Sequence, residues 1–292
     1  MKIKAGKTDK LINILLEEFG TASRTKVKKL ISTSCIRLNG KIVKKSETII
    51  SEGDYLEYTK FKDEKGKMQA PYPILFEDEH LVAIHKPAGA LMHGETGKNN
   101  ESVLKAMNKY VKTNSWGKQQ AIIIHRLDRE VSGIVIMAKN ENILAEMKDN
   151  WTNTEKLYYA LVEGKPKTAE GTITSWIAKD FQQKVKSVPE GTPDAKYAIT
   201  HYRTIEVMEN YTLLEVKLET GRKNQIRLHF SEMGCPIVGD RRYGADATFE
   251  RQIRLLAFSL TFKHPISQDL IKLKLPLPKF FTSITEGNEK YK

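Results

Sequence analysis

Short apolar runs rich in β-branched residues recur from residue 80 to residue 262, and Gly, Asp, Asn or Pro bounds most of them. Runs of this length and composition are typical of strands in a buried sheet. The runs are HLVAIHKP, AIIIHRLD, GIVIMAKN, KLYYALVEG, YTLLEVKLET and LLAFSLTF. Helical patterns are fewer: SVLKAMNKYV, ILAEMKDNW and KNQIRLHFSEMG. Because strands and helices do not alternate regularly, the sequence predicts an α+β domain with a large mixed or antiparallel sheet, not a doubly wound one.

The chain of 292 residues, 40% of them hydrophobic, is long enough for one large domain or two. It contains no apolar run near the roughly 18 residues that a membrane span requires. The N-terminal LINILLEEF is interrupted by Glu17 and Glu18, which argues against a signal peptide. The sequence therefore predicts a soluble, cytoplasmic protein.

Cysteine and histidine are placed unfavourably for disulfide or zinc chemistry. Cys35 and Cys235 lie far apart without a neighbouring Cys or His at metal-ligand spacing, and the seven histidines form no H-x-x-x-H pair. The sequence also lacks a glycine-rich phosphate loop and a recognisable Ser-His-Asp signature. We therefore expect neither a metal nor a cofactor.

The charge balance is strongly basic. Lys and Arg number 48 against 36 Asp and Glu, a net charge of +12 with a pI near 9.4. Residues 1–60 hold 13 of the basic residues and 7 of the acidic ones, so about half of the excess lies in a fifth of the chain. Such a field attracts polyanions. Nucleic acid is the first candidate partner, and an anionic membrane is the second.

The first 60 residues predict a compact unit of helices followed by strands. Asp9 is expected to cap a helix with apolar residues on one face, and Gly20 is expected to end it. A second helix, which Ser23 is expected to cap, carries a basic face. Asn39-Gly40 predicts a tight hairpin, because this dipeptide readily takes the two positive φ values. GDYLEYTK predicts a further strand.

The segments DKLINILLEEF, SRTKVKKLI, IRLNGKIV and EGDYLEY resemble the small RNA-binding module of a ribosomal small-subunit protein. The resemblance implies a phosphate-binding surface made by the second helix and the hairpin. The alternative is a solvated charged face. The residues expected on this surface are Arg24, Lys26, Lys28, Lys29, Arg37, Lys41, Lys44 and Lys45.

Composition suggests where the domains end. Residues 61–71, within the polar stretch FKDEKGKMQAPYP, show no periodicity and are predicted to form a linker. The sequence thus predicts a basic module at 1–60, a linker at 61–71, a larger domain at 72–282 and a polar tail at 283–292.

A charged cluster, His125 to Glu130, interrupts two apolar runs in IIIHRLDREVSGIVIMAKN. Burying unpaired charge costs several kcal/mol per ion, so such a cluster needs a reason. A surface turn is the simple explanation. Turns, however, usually contain Gly, Pro or Asn-Gly, and here the glycine, Gly133, follows the charges.

Four segments resemble the motifs of the RluA-type pseudouridine synthases: HKPAGALMHG, HRLDREVSGIVIMAKN, KLYYALVEG and TGRKNQIRLHFSEMGCPIVGDRRYG. The resemblance extends from about residue 72 to 280 and includes the order and spacing of the motifs. It implies a catalytic domain with a large mixed, mostly antiparallel sheet, which isomerises uridine to pseudouridine in RNA. It also implies that no metal or cofactor is consumed and that ribosomal or transfer RNA is the partner.

The resemblance assigns roles to three residues. Asp128 is expected to act at the ribose, either as nucleophile at C1′ or as the base that removes the C2′ proton to give a glycal. Tyr158 is expected to stack on uracil. Because adjacent strand residues point to opposite faces, Tyr159 would then point away. Arg227 is expected to pair with Asp128, lower the pKa of its carboxyl and offset its burial. An ordinary turn aspartate and a solvent-facing arginine are the alternatives for Asp128 and Arg227.

Arg126 and Arg129 flank the aspartate and are expected to contact RNA phosphates around a flipped-out uridine, with an Arg129–Glu130 ion pair as the alternative. The chain departs from the family pattern in two places. Val131 stands where many members have Thr, and Lys223-Asn224 replaces the usual Thr-His. These changes leave Asp128, Tyr158 and Arg227 in place but bear on hydrogen bonding around the site and on the choice of RNA.

Two other classes of function fit parts of the pattern. A non-catalytic RNA-binding protein could use the same basic surface. A hydrolase that releases uracil usually needs a second carboxylate to activate water, and only one candidate carboxylate is evident in the motif. We therefore favour the isomerase.

Overall fold

The computed structural model describes residues 2–20, 23–32, 36–58, 68–94, 101–180, 184–246 and 252–281. The chain divides into two compact units, Met1–Lys67 and Met68–Lys292, called here the N-terminal and C-terminal units. Residues 61–67 of the predicted linker and the predicted tail 283–292 lie outside the described residues. Within the described part of the chain, the structure contains no helix long and apolar enough to span a membrane.

The remainder of the predicted linker packs onto the C-terminal unit. The Met68 N–H donates to Asn114 Oδ1 at 2.9 Å, and Asn114 Nδ2 donates to the Met68 carbonyl at 3.2 Å. Ala70 and Tyr72 pack against the hydrophobic core. Residues 68–71 therefore belong to the C-terminal unit and not to a free linker.

Two helices form the centre of the N-terminal unit, α1 (Leu11–Phe19) and α2 (Arg24–Ser32). Leu11, Leu15, Val27 and Ile31 are fully buried between them and the strands. This burial explains why a chain segment rich in lysine folds here: the apolar positions share one side, and the basic positions are left outside.

The predicted cap at Asp9 is wrong. Lys10 occupies the N-cap position, and its side chain makes no capping hydrogen bond. The first amides of α1 instead donate to the carbonyls of Thr48 and Ser46, at 2.8 and 3.1 Å. The Asp9 carboxylate accepts from Asn13 Nδ2 at 2.9 Å. Backbone from a distant turn thus satisfies the helix end.

The strands of the N-terminal unit are short. Asn39 and Gly40, with φ of 48° and 82°, form the predicted tight turn of a hairpin. One sheet has the order β1-β6-β3-β4, and β2 pairs with β5. The strands are β1 (Lys2–Lys4), β2 (Asp9–Lys10), β3 (Ile36–Leu38), β4 (Lys41–Ile42), β5 (Ile49–Ile50) and β6 (Tyr55–Tyr58).

The C-terminal unit is built on one sheet of 11 strands, with the order β13-β12-β14-β15-β11-β16-β10-β8-β7; β17 pairs with β16, and β9 with β10. The β10–β16 pairing is parallel, and the other pairings described in this sheet are antiparallel. The predicted mixed, mostly antiparallel sheet of an α+β fold is therefore confirmed. The strands are β7 (Ile74–Glu77), β8 (Leu81–Lys86), β9 (Ile122–Ile123), β10 (Ser132–Ala138), β11 (Glu155–Glu163), β12 (Glu170–Lys179), β13 (Val185–Val188), β14 (Lys196–Val207), β15 (Tyr211–Leu218), β16 (Leu255–Lys263) and β17 (Leu270–Lys274).

Three helices cover the two faces of this sheet. Helices α3 (Val103–Asn114) and α5 (Gln225–Glu232) contribute to the core cluster that contains Tyr158. Helix α4 (Glu141–Asp149) contributes to the cluster on the other side, with Phe258. The run AIIIHRLD is mostly loop, since β9 covers only two of its residues. The polar strands β12, β13 and β14 were not predicted.

Gly133 allows the parallel pairing at the centre of the sheet. It lies opposite Ala257 with φ of +135°, and a Cβ atom placed there would come within 2.4 Å of the Ala257 carbonyl oxygen. A larger residue therefore cannot enter without displacing backbone. Gly133 follows the charged cluster, so this close approach also fixes the end of the loop that carries Asp128.

We predict that Gly133→Ala lowers the free energy of unfolding by at least about 1–3 kcal/mol, because the methyl group overlaps backbone that cannot move away. Denaturant unfolding of the whole chain measures the change. Gly164→Ala is the matched control, since Gly164 also has positive φ (+70°) but open space around its Cβ position. Equal losses in the two variants would show that backbone strain alone matters at Gly133.

Candidate active site

The charged cluster forms a loop, residues 124–131, between β9 and β10. The side chain of Lys86 is completely buried and fixes this loop through hydrogen bonds. Its ammonium group donates to the carbonyls of Pro87, Arg129 and Val131 at 3.0, 3.2 and 2.7 Å. Burial lowers the pKa of Lys86 to about 8. The backbone beside Asp128 is thus fixed by a buried cation with three carbonyl partners.

His125 anchors the start of the loop. Its ring stacks on Trp151, with ring centroids 4.8 Å apart, and Nε2 accepts the N–H of Ile136 at 3.2 Å. Burial and the nearby Lys156 lower the pKa of His125, which keeps the ring neutral. His125 therefore has a structural role: its neutral ring holds the backbone at the start of the loop.

Arg227 lies on α5 with only 4% of the residue exposed. Its main partner is Asp240, to which Nε and Nη2 donate at 2.6 and 2.9 Å. Its third nitrogen, Nη1, donates to Glu130 and to Asn224, both at 3.3 Å, and lies 3.8 Å from Asp128 Oδ2. One guanidinium group therefore faces three carboxylates.

Asp240 was missed by sequence reasoning, although it makes the strongest contacts in the site. It is 1% exposed and lies in the segment VGDRRYG, whose Tyr243 ring lies 5.1 Å from the Arg227 guanidinium carbon. The available signal was a buried-looking Gly-Asp pair after the apolar PIV. A buried aspartate needs a cation partner, and a bidentate arginine is the usual one.

Burial raises the pKa of the Asp128 carboxyl, and Arg227 opposes this shift without cancelling it. Glu130 raises the pKa further, whereas Arg126 and Lys223 lower it. Arg227 thus lowers the pKa of Asp128 as predicted, but burial outweighs this effect and the pKa is raised overall. The physical reason is the distance of 3.8 Å: the shorter contacts of Arg227 go to other carboxylates.

Tyr158 on β11 points toward the same cavity as Asp128, while its neighbour Tyr159 points to the other face of the sheet. Tyr159 stacks on Phe258 with ring centroids 3.6 Å apart. Burial, and then the charge of Asp128, raise the pKa of Tyr158 well above its usual value. Tyr158 therefore presents a protonated phenol to the cavity.

A cavity of about 140 Å³ brings these groups together. Asp128 and Tyr158 line it with Arg227 and with the turn after β15. Its walls combine apolar side chains with a few polar groups, which is typical of a site for a small planar ligand. The lining residues include Arg126, Leu127, Asp128, Val131, Tyr158, Leu218, Lys223, Asn224, Ile226, Arg227 and Leu255.

The two RNA-binding residues predicted in the C-terminal unit both lie at the candidate site. Arg126 and Arg129 are exposed, and both line a second cavity of about 260 Å³ beside the first. Arg129 Nε donates to the Gly89 carbonyl at 3.3 Å. The alternative Arg129–Glu130 pair is not among the described ion pairs of the cleft, where Glu130 contacts Arg227.

Of the predicted RNA-binding residues of the N-terminal unit whose side chains the structure describes, Arg37 is half-buried and the others are exposed. Arg24, Lys28 and Lys41 are exposed, and Arg37 Nη1 donates to the Gly40 carbonyl at 3.1 Å. The side chains of Lys26 and Lys29 lie outside the described residues. Arg37 thus supports the hairpin in addition to its predicted role.

All three residues that depart from the family pattern line the cavity, and Asn224 is the one that hydrogen-bonds to Arg227. Asn224 has a left-handed backbone, with φ of 53°, and a buried side chain. Its Oδ1 accepts from Arg227, and its Nδ2 donates to the Tyr243 hydroxyl at 3.0 Å. Val131 is buried in the core beside the cavity. Asn224 therefore helps to orient Arg227, in keeping with the expectation that this departure bears on hydrogen bonding around the site.

Among the described residues, no group of three or more His, Cys, Asp or Glu side chains is arranged to hold a metal ion. The polar groups that line the cavity include the Asp128 carboxylate, the Tyr158 phenol and the Arg227 guanidinium, with further cations at Arg126 and Lys223. They can act on a neutral planar ligand by stacking and by proton transfer.

The family model for RNA pseudouridylate synthase matches residues 80–232, just over half of the chain, and includes Asp128, Tyr158 and Arg227. The chain belongs to the RNA pseudouridylate synthase family. A Synechocystis protein described as an uncharacterised RNA pseudouridine synthase is 31% identical over 92% of this chain and 86% of its own length. Ribosomal large subunit pseudouridine synthase D of Haemophilus ducreyi is 29% identical over 95% of this chain and 90% of its own length.

A solved structure supports the fold. Human RNA Pseudouridylate Synthase Domain Containing 4 matches with a TM-score of 0.59 and 23% identity, over 72% of this chain and 90% of its own. This RNA pseudouridine synthase therefore isomerises uridine to pseudouridine within RNA. Of the alternatives raised by the sequence, a uracil-releasing hydrolase and a non-catalytic RNA-binding protein are both disfavoured.

We predict that Arg227→Ala reduces turnover by this pseudouridine synthase by orders of magnitude, with a fold that persists but is less stable by roughly 3–5 kcal/mol because Asp240 loses its buried partner. Without the guanidinium group, nothing at that position opposes the burial of Asp128, so the pKa of its carboxyl rises further and the acid limb of the pH–rate profile moves to higher pH. Rates of pseudouridine formation measured from acid to neutral pH test both effects.

Arg227→Lys is the informative companion, because it keeps the charge but loses the planar fork that grips Asp240. Arg227→Lys should return the acid limb of the pH–rate profile to its original pH more fully than it restores the turnover rate. Normal turnover in Arg227→Ala would remove this residue from the site.

Proposed function

We propose that Asp128 is the catalytic carboxylate of this enzyme, that Tyr158 stacks on the target uracil, and that Arg227 holds Asp128 in place. The observation that carries the proposal is the meeting of these three side chains at one cavity. Each also occupies a position that the family resemblance assigns to that role. The uridine enters the cavity after it flips out of its stack, which leaves its phosphates at the mouth.

The reaction balances without an added reactant. The bond from ribose C1′ to uracil N1 breaks, and its electron pair stays with the uracil ring. The ring turns, C5 forms a bond to C1′, the hydrogen on C5 leaves as a proton, and N1 gains a proton. The protein must therefore stabilise the sugar, keep the detached ring inside the cavity and move protons.

Asp128 can serve this reaction by two routes. It can attack C1′, or it can remove the C2′ proton to give a glycal. Both routes require an ionised carboxylate of more than ordinary basicity, and the raised pKa of Asp128 supplies it. Activity is accordingly expected to fall as the pH drops through this raised pKa.

Tyr158 is suited to keeping the detached uracil ring inside the cavity. Its ring forms part of the cavity wall next to Asp128, and its raised pKa keeps the phenol protonated across the physiological pH range. A protonated phenol can lend a proton to the ring and take one back. The same side chain can therefore retain the uracil and help to move the C5 proton.

We propose large-subunit ribosomal RNA as the first RNA to examine, with transfer RNA as the alternative. The support is the names of two relatives, the ribosomal large subunit pseudouridine synthases D of Haemophilus ducreyi and Zymomonas mobilis, which are 29% and 31% identical to this chain. Pseudouridine mapping in cells with and without this gene tests the choice. A site lost from transfer RNA alone would select the alternative.

We predict that the protein releases tritium to water from cellular RNA labelled at C5 of uracil, with no metal or nucleotide added. Formation of the C5–C1′ bond must displace that hydrogen, whereas a hydrolase would give labelled free uracil and a binding protein would give neither product. Asp128→Asn should abolish the release, since the amide can neither attack C1′ nor remove a proton. RNA affinity should change little, because backbone contacts lie elsewhere.

Asp149→Asn is the matched control, an identical substitution at an exposed position at the end of α4. It should release tritium at the rate of the unaltered protein. If Asp128→Asn releases label as fast as Asp149→Asn, or if free uracil accumulates, the assignment of Asp128 fails.

We also propose that the N-terminal unit binds RNA through α2 and the hairpin of β3 and β4. Replacing Lys26, Lys28 and Lys29 together by Ala should weaken RNA binding. It should also flatten the salt dependence of binding by roughly one unit of slope for each phosphate that these lysines neutralise. Turnover on saturating RNA should persist. Binding titrations at several salt concentrations measure both the affinity and the slope.

A matched variant replaces Lys165, Lys167 and Lys272 by Ala. These three exposed lysines belong to the C-terminal unit, carry the same total charge and line none of the cavities that Asp128 or Lys223 borders. If the two triple variants bind RNA equally well, the basic face of α2 is only a solvated surface.

A further inference from the structure

Lys223 lies at a position where three cavities adjoin one another. It lines the cavity that contains Asp128 and Tyr158, and it also lines the second cavity beside it, where Arg129 lies. It also lines a third cavity, of about 640 Å³, next to β12. The Lys223 side chain therefore borders two cavities that adjoin the active-site cavity.

The turn that carries Lys223 is fixed on both sides. Arg222 Nε donates to the Tyr197 carbonyl at 3.1 Å, and the Arg222 N–H donates to Gln225 Oε1 at 2.9 Å. Asn224, on the other side, is buried and bonded to Arg227 and Tyr243. Lys223 itself is exposed. An exposed ammonium group therefore extends from an anchored backbone to the border of these cavities.

Lys223 works at the mouth together with Arg126. The two come from different segments, the turn after β15 and the loop between β9 and β10, yet both line the cavity of Asp128. Both also lower the pKa of the Asp128 carboxyl, so both cations lie within electrostatic reach of that carboxylate. The carboxylate would otherwise repel an approaching phosphate.

We infer that Lys223, together with Arg126, binds the backbone phosphate next to the target uridine and so contributes to RNA affinity at the active site. The inference rests on the proposed function, because a uracil seated between Asp128 and Tyr158 leaves its phosphate at the mouth that these cations border. An ammonium group offers three donors as a compact charge, which suits a phosphate oxygen.

The test compares Lys223→Thr with Lys223→Arg and with Lys167→Thr, using the tritium-release assay and labelled cellular RNA at several salt concentrations. Lys167 is exposed and lies outside the three cavities, so its variant loses the same charge elsewhere. For Lys223→Thr we expect KM to rise about three- to tenfold and the salt slope of kcat/KM to fall by roughly one unit. Lys223→Arg should recover most of both, and kcat should fall less than KM rises.

Two results would overturn the inference. Lys223→Thr could match Lys167→Thr in KM and salt slope, which would make Lys223 a solvated charge. It could instead lower kcat and move the acid limb with KM and slope unchanged, which would mean that Lys223 acts on Asp128 and not on RNA. Failure of the proposed function is separate, since it would appear as absence of tritium release from the unaltered protein.

Discussion

The buried contact between Arg227 and Asp240 is the interaction on which the site depends. Removing one partner from such a pair leaves an unpaired buried charge, which costs roughly 3–5 kcal/mol, so the two side chains hold each other in place. Because Asp240 takes Nε and Nη2, the remaining nitrogen is directed at Asp128, Glu130 and Asn224. The orientation of Arg227 is thus set by the turn that contains Asp240 and not by the proposed catalytic aspartate.

This arrangement explains how Asp128 can be held without being strongly acidified. A bidentate arginine normally lowers the pKa of its carboxylate partner. Here Asp240 receives that contact, and Asp128 keeps a pKa that burial has raised. A carboxylate of this kind is a stronger base and nucleophile than one in a tight ion pair. Positioning and reactivity are therefore supplied by different contacts of one guanidinium group.

Sequence reasoning located the parts of the site that a local pattern encodes. The alternation of a strand separated Tyr158 from Tyr159, and motif resemblance brought Asp128 and Arg227 together across the chain. Asp240 has no such pattern, because its partner lies on a helix and it lies in a turn. β12 and β14 were missed because one face of each carries mainly polar, exposed residues, so their apolar signal is weak. The helix cap at Asp9 failed because the Thr48 and Ser46 carbonyls, distant in sequence, took its place.

The cleft must also solve an electrostatic problem that RNA brings with it. Each phosphate that approaches Asp128 adds negative charge near a carboxylate, and this raises the free energy of the ionised form that the reaction requires. Cations at the mouth reduce that cost, since they attract the phosphates and stabilise the carboxylate at the same time. Arg126 and Lys223 are the cations proposed for this role, because they border the cavity and lower the pKa of Asp128. On this account, RNA binding and the ionisation of Asp128 are coupled through the same side chains. A phosphate bound at the mouth offsets part of the positive charge that otherwise acts on the carboxylate. Asp128 is therefore more basic in the complex than in the free enzyme.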